Sequence, residues 1–264
     1  MSLPKIKSLQ LCLCNSMAKR TRVITFLNSA IILGVSSMTS RFLGVFRDRI
    51  IAGQFGAAGE LDSYYAAFRI PDLLFNLLIL GALSSSFVPV FASYISKNKT
   101  KKAFQIANSL LNIIMLILAG TSFLLIFFMP QLIQIIAPGL NTAQQELSVN
   151  LSQILLLSPI FFTISNIFTG ILNSYKKFIA HALSPIMYNL GIIGGALFLS
   201  PQYGTYGLAI GVVIGAALHA IVQLPAVLRI GYRYAAVLKI DKGLKKIGKL
   251  MAPRTIGLGM MQIN

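Results

Sequence analysis

Long apolar stretches separated by short polar connections dominate this chain, and their lengths determine its predicted architecture. A helix needs about 20 apolar residues to cross roughly 30 Å of hydrocarbon. An open sheet in lipid would leave backbone donors and acceptors without partners, so each stretch is predicted to be a helix. The pattern predicts an all-α polytopic membrane protein. Six complete transmembrane helices, followed by the start of a seventh near Leu250, are expected at residues 24–52, 62–95, 104–136, 149–174, 180–199 and 205–230.

The same pattern divides the chain into segments. We expect a cytoplasmic extension at 1–23, a transmembrane lobe at 24–230, a basic cytoplasmic connection at 231–249 and the start of the seventh helix at 250–264. Met17 is followed closely by Lys19 and Arg20, which makes it an alternative start with the preceding residues as an extension. The chain is expected to stop early in the seventh helix.

Among the connections, lysine and arginine occur only in alternate ones, which predicts the orientation of the helices. They lie before the first span and after the second, fourth and sixth, at Lys19, Arg20, Arg22, Lys97, Lys99, Lys101, Lys102, Lys176, Lys177, Arg229, Arg233, Lys239, Lys242, Lys245, Lys246 and Lys249. The other connections, GQFGAAGE, APGLNTAQQE and SPQYGTYG, contain neither residue. Because positive residues concentrate on the cytoplasmic side, the N-terminus and the basic connections are predicted to be cytoplasmic.

Composition supports a membrane protein and argues against a nucleic-acid partner. The chain is 56% hydrophobic and 11% charged, with a net charge of +17. Its basic residues cluster between apolar spans and form no stripe with interleaved aromatic residues, which would be typical of a nucleic-acid surface. The excess charge therefore reflects topology.

The connection at 231–249 alternates lysines with apolar residues such as Val237, Leu244 and Ile247. This pattern predicts an amphipathic helix lying on anionic lipid at the cytoplasmic face. A solvated loop is the alternative interpretation.

Charged residues interrupt the first span in the run SSMTSRFLGVFRDR. An arginine at bilayer depth costs on the order of 3 kcal/mol, so Arg41 is expected to face a polar cavity or a counter-charge. Arg41 and Asp48 lie seven residues apart, on about one helical face, with Arg47 beside Asp48. One interpretation is a solvated pathway for an anionic substrate. The alternative is that Arg47, Asp48 and Arg49 mark the water-facing end of the helix.

The second span contains its own charged and bent positions. Arg69 follows Asp62 by seven residues and precedes Asp72 by three, so either acid can neutralise it on one helical face. Pro71 removes a helical hydrogen bond, and Gly81 permits a bend or a close helix contact. A moving gate beside the first span would need such a helix.

Enzyme chemistry has little support in the sequence. His181 and His219 are isolated and are expected to pack or to line a pore, and neither has further ligands at metal-binding spacing. Cys12 and Cys14 offer neither a metal set nor a disulfide framework. No phosphate-binding GxxxxGK[ST] motif and no paired catalytic carboxylates are present. We expect no cofactor and no metal, and transport driven by a gradient or a potential.

Several runs together carry a family resemblance. They are SSMTSRFLGVFRDRIIAGQFGAAGELDSYYAAFRIPDLL, GALSSSFVPVFASY, APG, GILNSYKKFIAHALSPIMYN and QLP. From about Asn28 to its end the chain resembles the MurJ (MviN) lipid II flippases of the multidrug/oligosaccharidyl-lipid/polysaccharide exporter superfamily. This family moves the undecaprenyl-diphosphate-linked peptidoglycan precursor to the outer leaflet of the bacterial cytoplasmic membrane.

The resemblance implies the N-terminal lobe of a two-lobe alternating-access transporter with fourteen helices around a cationic cavity. The matching cavity and gate residues are Ser40, Arg41, Arg47, Asp48, Asp62 and Arg69, with Asp72 and Gly81 as further gate candidates. Guanidinium groups suit a diphosphate because they bind phosphate oxygens through a bidentate fork. Asp48 is expected to orient the arginines or to pair with them in an empty cavity. Implied partners are a lipid-linked diphosphate-sugar, anionic membrane lipids and cell-wall synthesis proteins.

The chain departs from the family pattern in the second helix. Phe75, Asn76 and Leu80 stand where many members carry an arginine pair and a glutamate. A gate built on that ion pair cannot form here. Either the gate uses other contacts, such as Arg69 with Asp62 or Asp72, or the chain represents a divergent branch whose substrate or mechanism has changed. The alternative functions are export of a drug or of another polysaccharide lipid, and a non-transporting membrane scaffold.

Overall fold

The computed structural model describes residues 31–56, 59–77 and 83–263, and these ranges are mostly helical and contain no strand. Helix α1 covers residues 31–55 and is already helical at the first described residue. The others are α2 Gly59–Phe75, α3 Leu83–Ile95, α4 Thr100–Ile136, α5 Thr142–Leu155, α6 Ser158–Ser174, α7 Ile179–Gly194, α8 Ser200–Tyr203, α9 Thr205–Ile221, α10 Leu224–Arg229 and α11 Lys242–Ile263. The predicted all-α class is confirmed.

Four helical stretches are long and apolar enough to cross a membrane, and they match the third to sixth predicted spans. They are Thr100–Ile136, Thr142–Ser174, Ile179–Tyr203 and Thr205–Arg229. The second predicted span is divided between α2 and α3, and residues 78–82 between them lie outside the described ranges. Gly81, the expected bend, is among those residues.

Local sequence explains where several of these helices begin. The Asn141 side chain accepts from the backbone of Gln144, and the Gln144 side chain accepts from the backbone of Asn141, which is a capping box for α5. Pro159 lies in the first turn of α6, where its missing N–H costs no hydrogen bond. Helix α6 therefore follows α5 after a single turn, and together they form one span.

Two clusters of buried apolar side chains hold the helices together. The larger lies among α3, α4, α6 and α11 and includes Phe87, Phe91 and Ile106. The smaller joins α1, α2, α5 and α9 through residues such as Tyr64 and Leu151. Each transmembrane helix is thus anchored on one side, and its remaining apolar surface faces outward.

Glycines allow α7 and α9 to touch along their backbones. A Cβ at Gly191 would lie 2.3 Å from the Cα of Gly215, and a Cβ at Gly195 would lie 2.4 Å from the Cα of Gly211. Small residues four apart on facing helices are a common packing device in membranes. This contact fixes α7, which carries one wall of the cleft described below.

The connection after α10 differs from the expected amphipathic helix. Residues 232–241 have no regular secondary structure and run along α4, where Asn108 Nδ2 donates to Arg233 O at 3.0 Å and Asn112 Nδ2 donates to Val237 O at 3.0 Å. These amides satisfy backbone carbonyls that a helix would have paired internally. The helix predicted over 231–249 is therefore wrong for its first half.

The second half of that connection belongs to α11, which begins at Lys242 and not near Leu250. Asp241 caps this helix, since its Oδ1 accepts from the backbone N–H of Leu244 at 2.9 Å. Buried Leu244 and Ile247 dock α11 on the larger apolar cluster. Leu244 and Ile247 thus pack inside the protein, whereas Val237 is half-buried and Leu238 and Ile240 are exposed.

Candidate functional site

A charged cleft opens between α1, α2 and α7. It has a volume of about 430 Å³ and is lined by Arg47, Asp48, Ile51, Tyr64, Tyr65, Phe68, Arg69, Asp72, Tyr188 and Ile192. Two guanidinium groups and two carboxylates therefore share one apolar and aromatic enclosure. This charged cleft brings together four residues that the sequence had nominated.

Arg47 is the best-anchored side chain of the charged cleft. Its Nη2 lies 2.8 Å from Asp48 Oδ1, its Nε donates to the same oxygen at 2.9 Å, and its Nη1 donates to Asn189 Oδ1 at 3.1 Å. Three of the five N–H groups of the guanidinium are thus used, and two remain for a ligand. The Arg47 side chain is 26% exposed, and that of Asp48 is 57% exposed. The pairing expected for Asp48 is present.

Asn189 on α7 is a site residue that sequence reasoning missed. Its Nδ2 donates to Ser40 Oγ at 3.1 Å and to Pro185 O at 3.0 Å, while its Oδ1 accepts from Arg47. It therefore ties Ser40 and Arg47 of α1 to α7. The available signal was a lone amide within an apolar transmembrane helix, where a polar side chain requires a partner.

Arg69 lies between the charged cleft and a second, smaller one. The second cleft, of about 220 Å³, is formed where α2 meets the end of α4 and is lined by Asp62, Tyr65, Ala66, Arg69, Ile136, Ala137 and Leu140. In the described ranges the single ion pair is Arg47–Asp48, so Arg69 forms none with Asp62 or Asp72. The expected neutralisation of Arg69 by direct pairing is therefore not found. The two acids lie instead on the walls of the clefts that Arg69 also lines.

Arg41 stands apart from the charged cleft. It is exposed on α1 and lies seven residues before Asp48, which places it on about the same helical face and about 10 Å away along the helix axis. Ser40 reaches the charged cleft only through Asn189. Gly81 and Leu80 lie outside the described residues.

Aromatic rings surround Phe75, one of the positions at which the chain departs from the family pattern. The Phe75 ring packs on Phe162 with centroids 5.0 Å apart, and Phe162 makes edge contacts with Tyr188 at 5.2 Å and with His219 at 5.3 Å. Phe75 thus continues an aromatic cluster that begins at Tyr188 in the wall of the charged cleft. A charged side chain at this position would have to enter that cluster.

The two histidines form hydrogen bonds with α6, His219 from α9 and His181 from α7. Ser165 Oγ lies 2.6 Å from His219 Nδ1, and Thr169 Oγ1 lies 3.2 Å from His181 Nδ1. Buried Gln223 joins both sites, because Thr169 donates to its Oε1 at 3.0 Å and its Nε2 donates to Ser165 Oγ at 2.5 Å. Within the described ranges no group of three metal-ligating side chains accompanies them. Both histidines therefore pack against neighbouring side chains, which is one of the two roles expected from the sequence.

Comparison with known proteins was made by sequence and by structure. Residues 51–264 match the family model described as lipid II flippase MurJ. The chain is 30% identical over 245 residues to the lipid II flippase MurJ of Burkholderia cenocepacia, covering 88% of this chain and 47% of that protein. It is 31% identical over 246 residues to the probable lipid II flippase MurJ of Buchnera aphidicola subsp. Schizaphis graminum, covering 91% and 48%. The chain thus spans about half the length of these relatives.

Solved structures show the same relationship. A lipid II flippase MurJ in an inward closed conformation superposes with a TM-score of 0.73 at 30% identity, over 88% of this chain and 48% of that one. A MATE transporter in complex with MaD3S superposes with a TM-score of 0.70 at 15% identity, over 89% and 54%. The second likeness concerns the fold alone.

Proposed function

This chain belongs to the lipid II flippase MurJ family, and we propose that it forms the N-terminal lobe of a transporter that moves lipid-linked peptidoglycan precursor across the bacterial cytoplasmic membrane. The movement is from the cytoplasmic to the outer leaflet by alternating access. It is transport and not a chemical conversion. The bound group is the diphosphate of the lipid carrier.

The observation that carries this proposal is the state of Arg47 in the charged cleft. Its guanidinium is held by Asp48 and Asn189 and keeps two N–H groups for a ligand. Phosphate oxygens accept from such a fork in bidentate geometry. A diphosphate entering the charged cleft replaces Asp48 at Arg47, and the displaced carboxylate is already more than half exposed to solvent.

The proposed orientation places the N-terminus in the cytoplasm. It is supported by the alternation of basic connections and by their spatial grouping, because the turn between α3 and α4 and the start of α11 meet at one end of the lobe. The end of α1 and the start of α2 then lie toward the outer face. Arg41 lies deeper in the membrane than Arg47, and the two arginines mark successive positions for the diphosphate.

Arg69 is proposed as the gate residue, together with Asp62 and Asp72. It lines both the charged cleft and the second cleft, and each of these contains one of the two acids. A switch of Arg69 between the two acids opens one cleft as it closes the other. This replaces the ion pair that Phe75 and Leu80 cannot provide.

Complementation of a flippase-depleted bacterium tests the proposed function. The natural protein that carries this chain is expected to restore growth, and Arg47→Ala or Arg41→Ala is expected to abolish it. Arg41→Lys is expected to recover only part, since lysine keeps the charge but loses the planar fork. Membrane levels of each variant are measured in parallel.

Arg49→Ala is the matched control, because Arg49 is an exposed arginine of α1 that does not line the charged cleft. It is expected to support growth at the level of the unaltered protein. Growth with Arg47→Ala at normal membrane levels would favour a scaffold. Failure of the unaltered protein itself to complement would favour export of a different molecule.

A further inference from the structure

A further pocket, whose charged side chains are all lysines, lies at the opposite end of α4 from the second cleft. It has a volume of about 330 Å³, and its charged side chains are Lys97, Lys99, Lys102, Lys242 and Lys246. Val90, Ser93, Tyr94 and Gly243 complete its walls, so no carboxylate lines it. We call this site the lysine pocket.

The lysines come from distant parts of the chain and are brought together by defined packing. Gly243 lets α11 approach α3 and α4, because a Cβ there would lie 2.6 Å from Ile106 Cδ1 and 3.1 Å from Tyr94 Oη. Buried Leu244 and Ile247 hold α11 in this position. Lys242 and Lys246, one helical turn apart, therefore face the turn that carries Lys97 and Lys99.

That turn is itself well ordered by hydrogen bonds. The backbone N–H of Lys99 donates to Tyr94 O at 2.9 Å, and that of Asn98 donates to Ile95 O at 2.9 Å. Asn98 adopts a positive φ of 55°, a conformation that asparagine tolerates better than most residues. The backbone that carries Lys97 and Lys99 is thus held by hydrogen bonds, and the lysine side chains themselves are exposed.

Its charge is uncompensated in the described part of the chain. None of the five lysines forms an ion pair there. The nearest acid in sequence, Asp241, accepts from the Leu244 backbone as the cap of α11. Lys99 precedes α4 without a side-chain cap, so the first N–H groups of that helix also lack an intrahelical partner. The five lysines are exposed, and a bound anion would relieve their mutual repulsion more effectively than water and salt alone.

We propose that the lysine pocket binds the phosphate-bearing headgroup of an anionic glycerophospholipid. The site lies where the apolar spans α3 and α4 meet a polar turn, which is the depth of lipid headgroups, and Val90 and Tyr94 give it an apolar wall beside the acyl chains. The bound lipid joins α11 to the turn between α3 and α4. The assignment of this lipid to the cytoplasmic leaflet rests on the proposed orientation of the protein.

The test uses the natural protein in nanodiscs of phosphatidylcholine with increasing phosphatidylglycerol, and measures the midpoint of thermal unfolding. We expect phosphatidylglycerol to raise the midpoint of the unaltered protein. In the variant Lys102→Gln/Lys242→Gln/Lys246→Gln, the apparent affinity is expected to fall by about 100-fold, since each lysine near an anionic surface contributes on the order of 1 kcal/mol.

The matched control is Lys101→Gln/Lys245→Gln/Lys249→Gln, which removes the same charge from neighbouring positions outside the lysine pocket. It is expected to keep the affinity of the unaltered protein, and an equal loss in both variants would overturn the proposal. Replacing the three pocket lysines by arginine is expected to preserve binding, which separates lost charge from a folding defect.

Inorganic phosphate in pure phosphatidylcholine nanodiscs distinguishes the two sources of the anion. Little protection is expected from phosphate. Protection equal to that of phosphatidylglycerol would identify a soluble anion as the ligand and would overturn the lipid assignment. Complementation reports separately on the flippase, so either proposal can fail while the other stands.

Discussion

The side chain of Asn189 determines how much positive charge Arg47 can offer to a ligand. An amide accepts a hydrogen bond from the guanidinium without neutralising it, whereas a carboxylate at this position would form a second ion pair. Arg47 already pairs with Asp48. The choice of an amide at position 189 therefore leaves Arg47 with positive charge to offer.

We predict that Asn189→Asp impairs complementation more strongly than Asn189→Ala. The added carboxylate holds Arg47 in competition with the diphosphate, while alanine only loosens the orientation of Arg47 and leaves its charge available. Growth of a flippase-depleted strain, normalised to membrane levels of the variants, measures the difference. A more severe defect for alanine would show that Asn189 matters chiefly for positioning.

The sequence was sufficient to nominate Arg47 and Asp48, because charged residues within an apolar run are conspicuous. It was not sufficient to find Asn189, which lies 142 residues from Arg47 in the chain. Nor did spacing decide the partner of Arg69. Helical periodicity permits a pair with Asp62 or Asp72, but the direction of each long side chain depends on the packing of α1, α4 and α7 around α2.

Helix α7 depends on its backbone contact with α9. The glycine pairs Gly191 with Gly215 and Gly195 with Gly211 bring the two backbones together. Since Asn189 lies on α7 immediately before this contact, a displacement of α7 would also move the anchor of Arg47. Packing at the element scale therefore supports the geometry of the charged cleft.

We predict that Gly195→Ala lowers the midpoint of thermal unfolding, at a cost of about 1–3 kcal/mol, because the new methyl group has only backbone to displace. Gly194→Ala is the matched control, since a Cβ at the adjacent position meets nothing within 4 Å. It is expected to be neutral or slightly stabilising. Equal effects of the two variants on the unfolding midpoint would mean that the close contact between α7 and α9 does not contribute to stability.

Most helices could be predicted from the length of their apolar stretches. The exceptions depend largely on tertiary contacts. The connection at 232–241 reads as amphipathic, yet Asn108 and Asn112 of α4 supply hydrogen-bond partners that only the folded lobe places beside it. The early start of α11 depends on the cap at Asp241 and on burial of Leu244. The hydrogen bonds of Asn108 and Asn112 join segments more than 100 residues apart in the chain, beyond the reach of any local pattern, whereas the Asp241 cap is a local contact that the sequence analysis missed.

The whole lobe has two chemically different ends. The lysine pocket lies where α3, α4 and α11 meet, and the second cleft lies at the other end of α4. Helix α4 has 37 residues, about 55 Å at 1.5 Å per residue, so it is longer than the roughly 30 Å of hydrocarbon. Positions at the two ends of α4 can therefore be used to determine which end of the lobe faces each side of the membrane.

We predict that a single cysteine at Ser96 is shielded from membrane-impermeant thiol reagents in intact cells, whereas one at Gly139 is labelled. In the proposed orientation, which follows the positive-inside rule, the turn with Ser96 lies in the cytoplasm and the connection with Gly139 lies outside. Both positions are exposed on the protein, and Cys12 and Cys14 are first replaced by serine. Labelling of Ser96→Cys without labelling of Gly139→Cys would reverse the orientation.

The contacts of Arg47 with Asp48 and Asn189 affect the release of a substrate as well as its binding. Because Asp48 waits beside the guanidinium, departure of a diphosphate does not leave a bare cation at bilayer depth, which would cost on the order of 3 kcal/mol. If the chain acts as proposed, the carboxylate returns to Arg47 as the substrate leaves, so one anion is exchanged for another. On the proposed function, the built-in competitor keeps the substrate from becoming an inhibitor and favours turnover over tight retention.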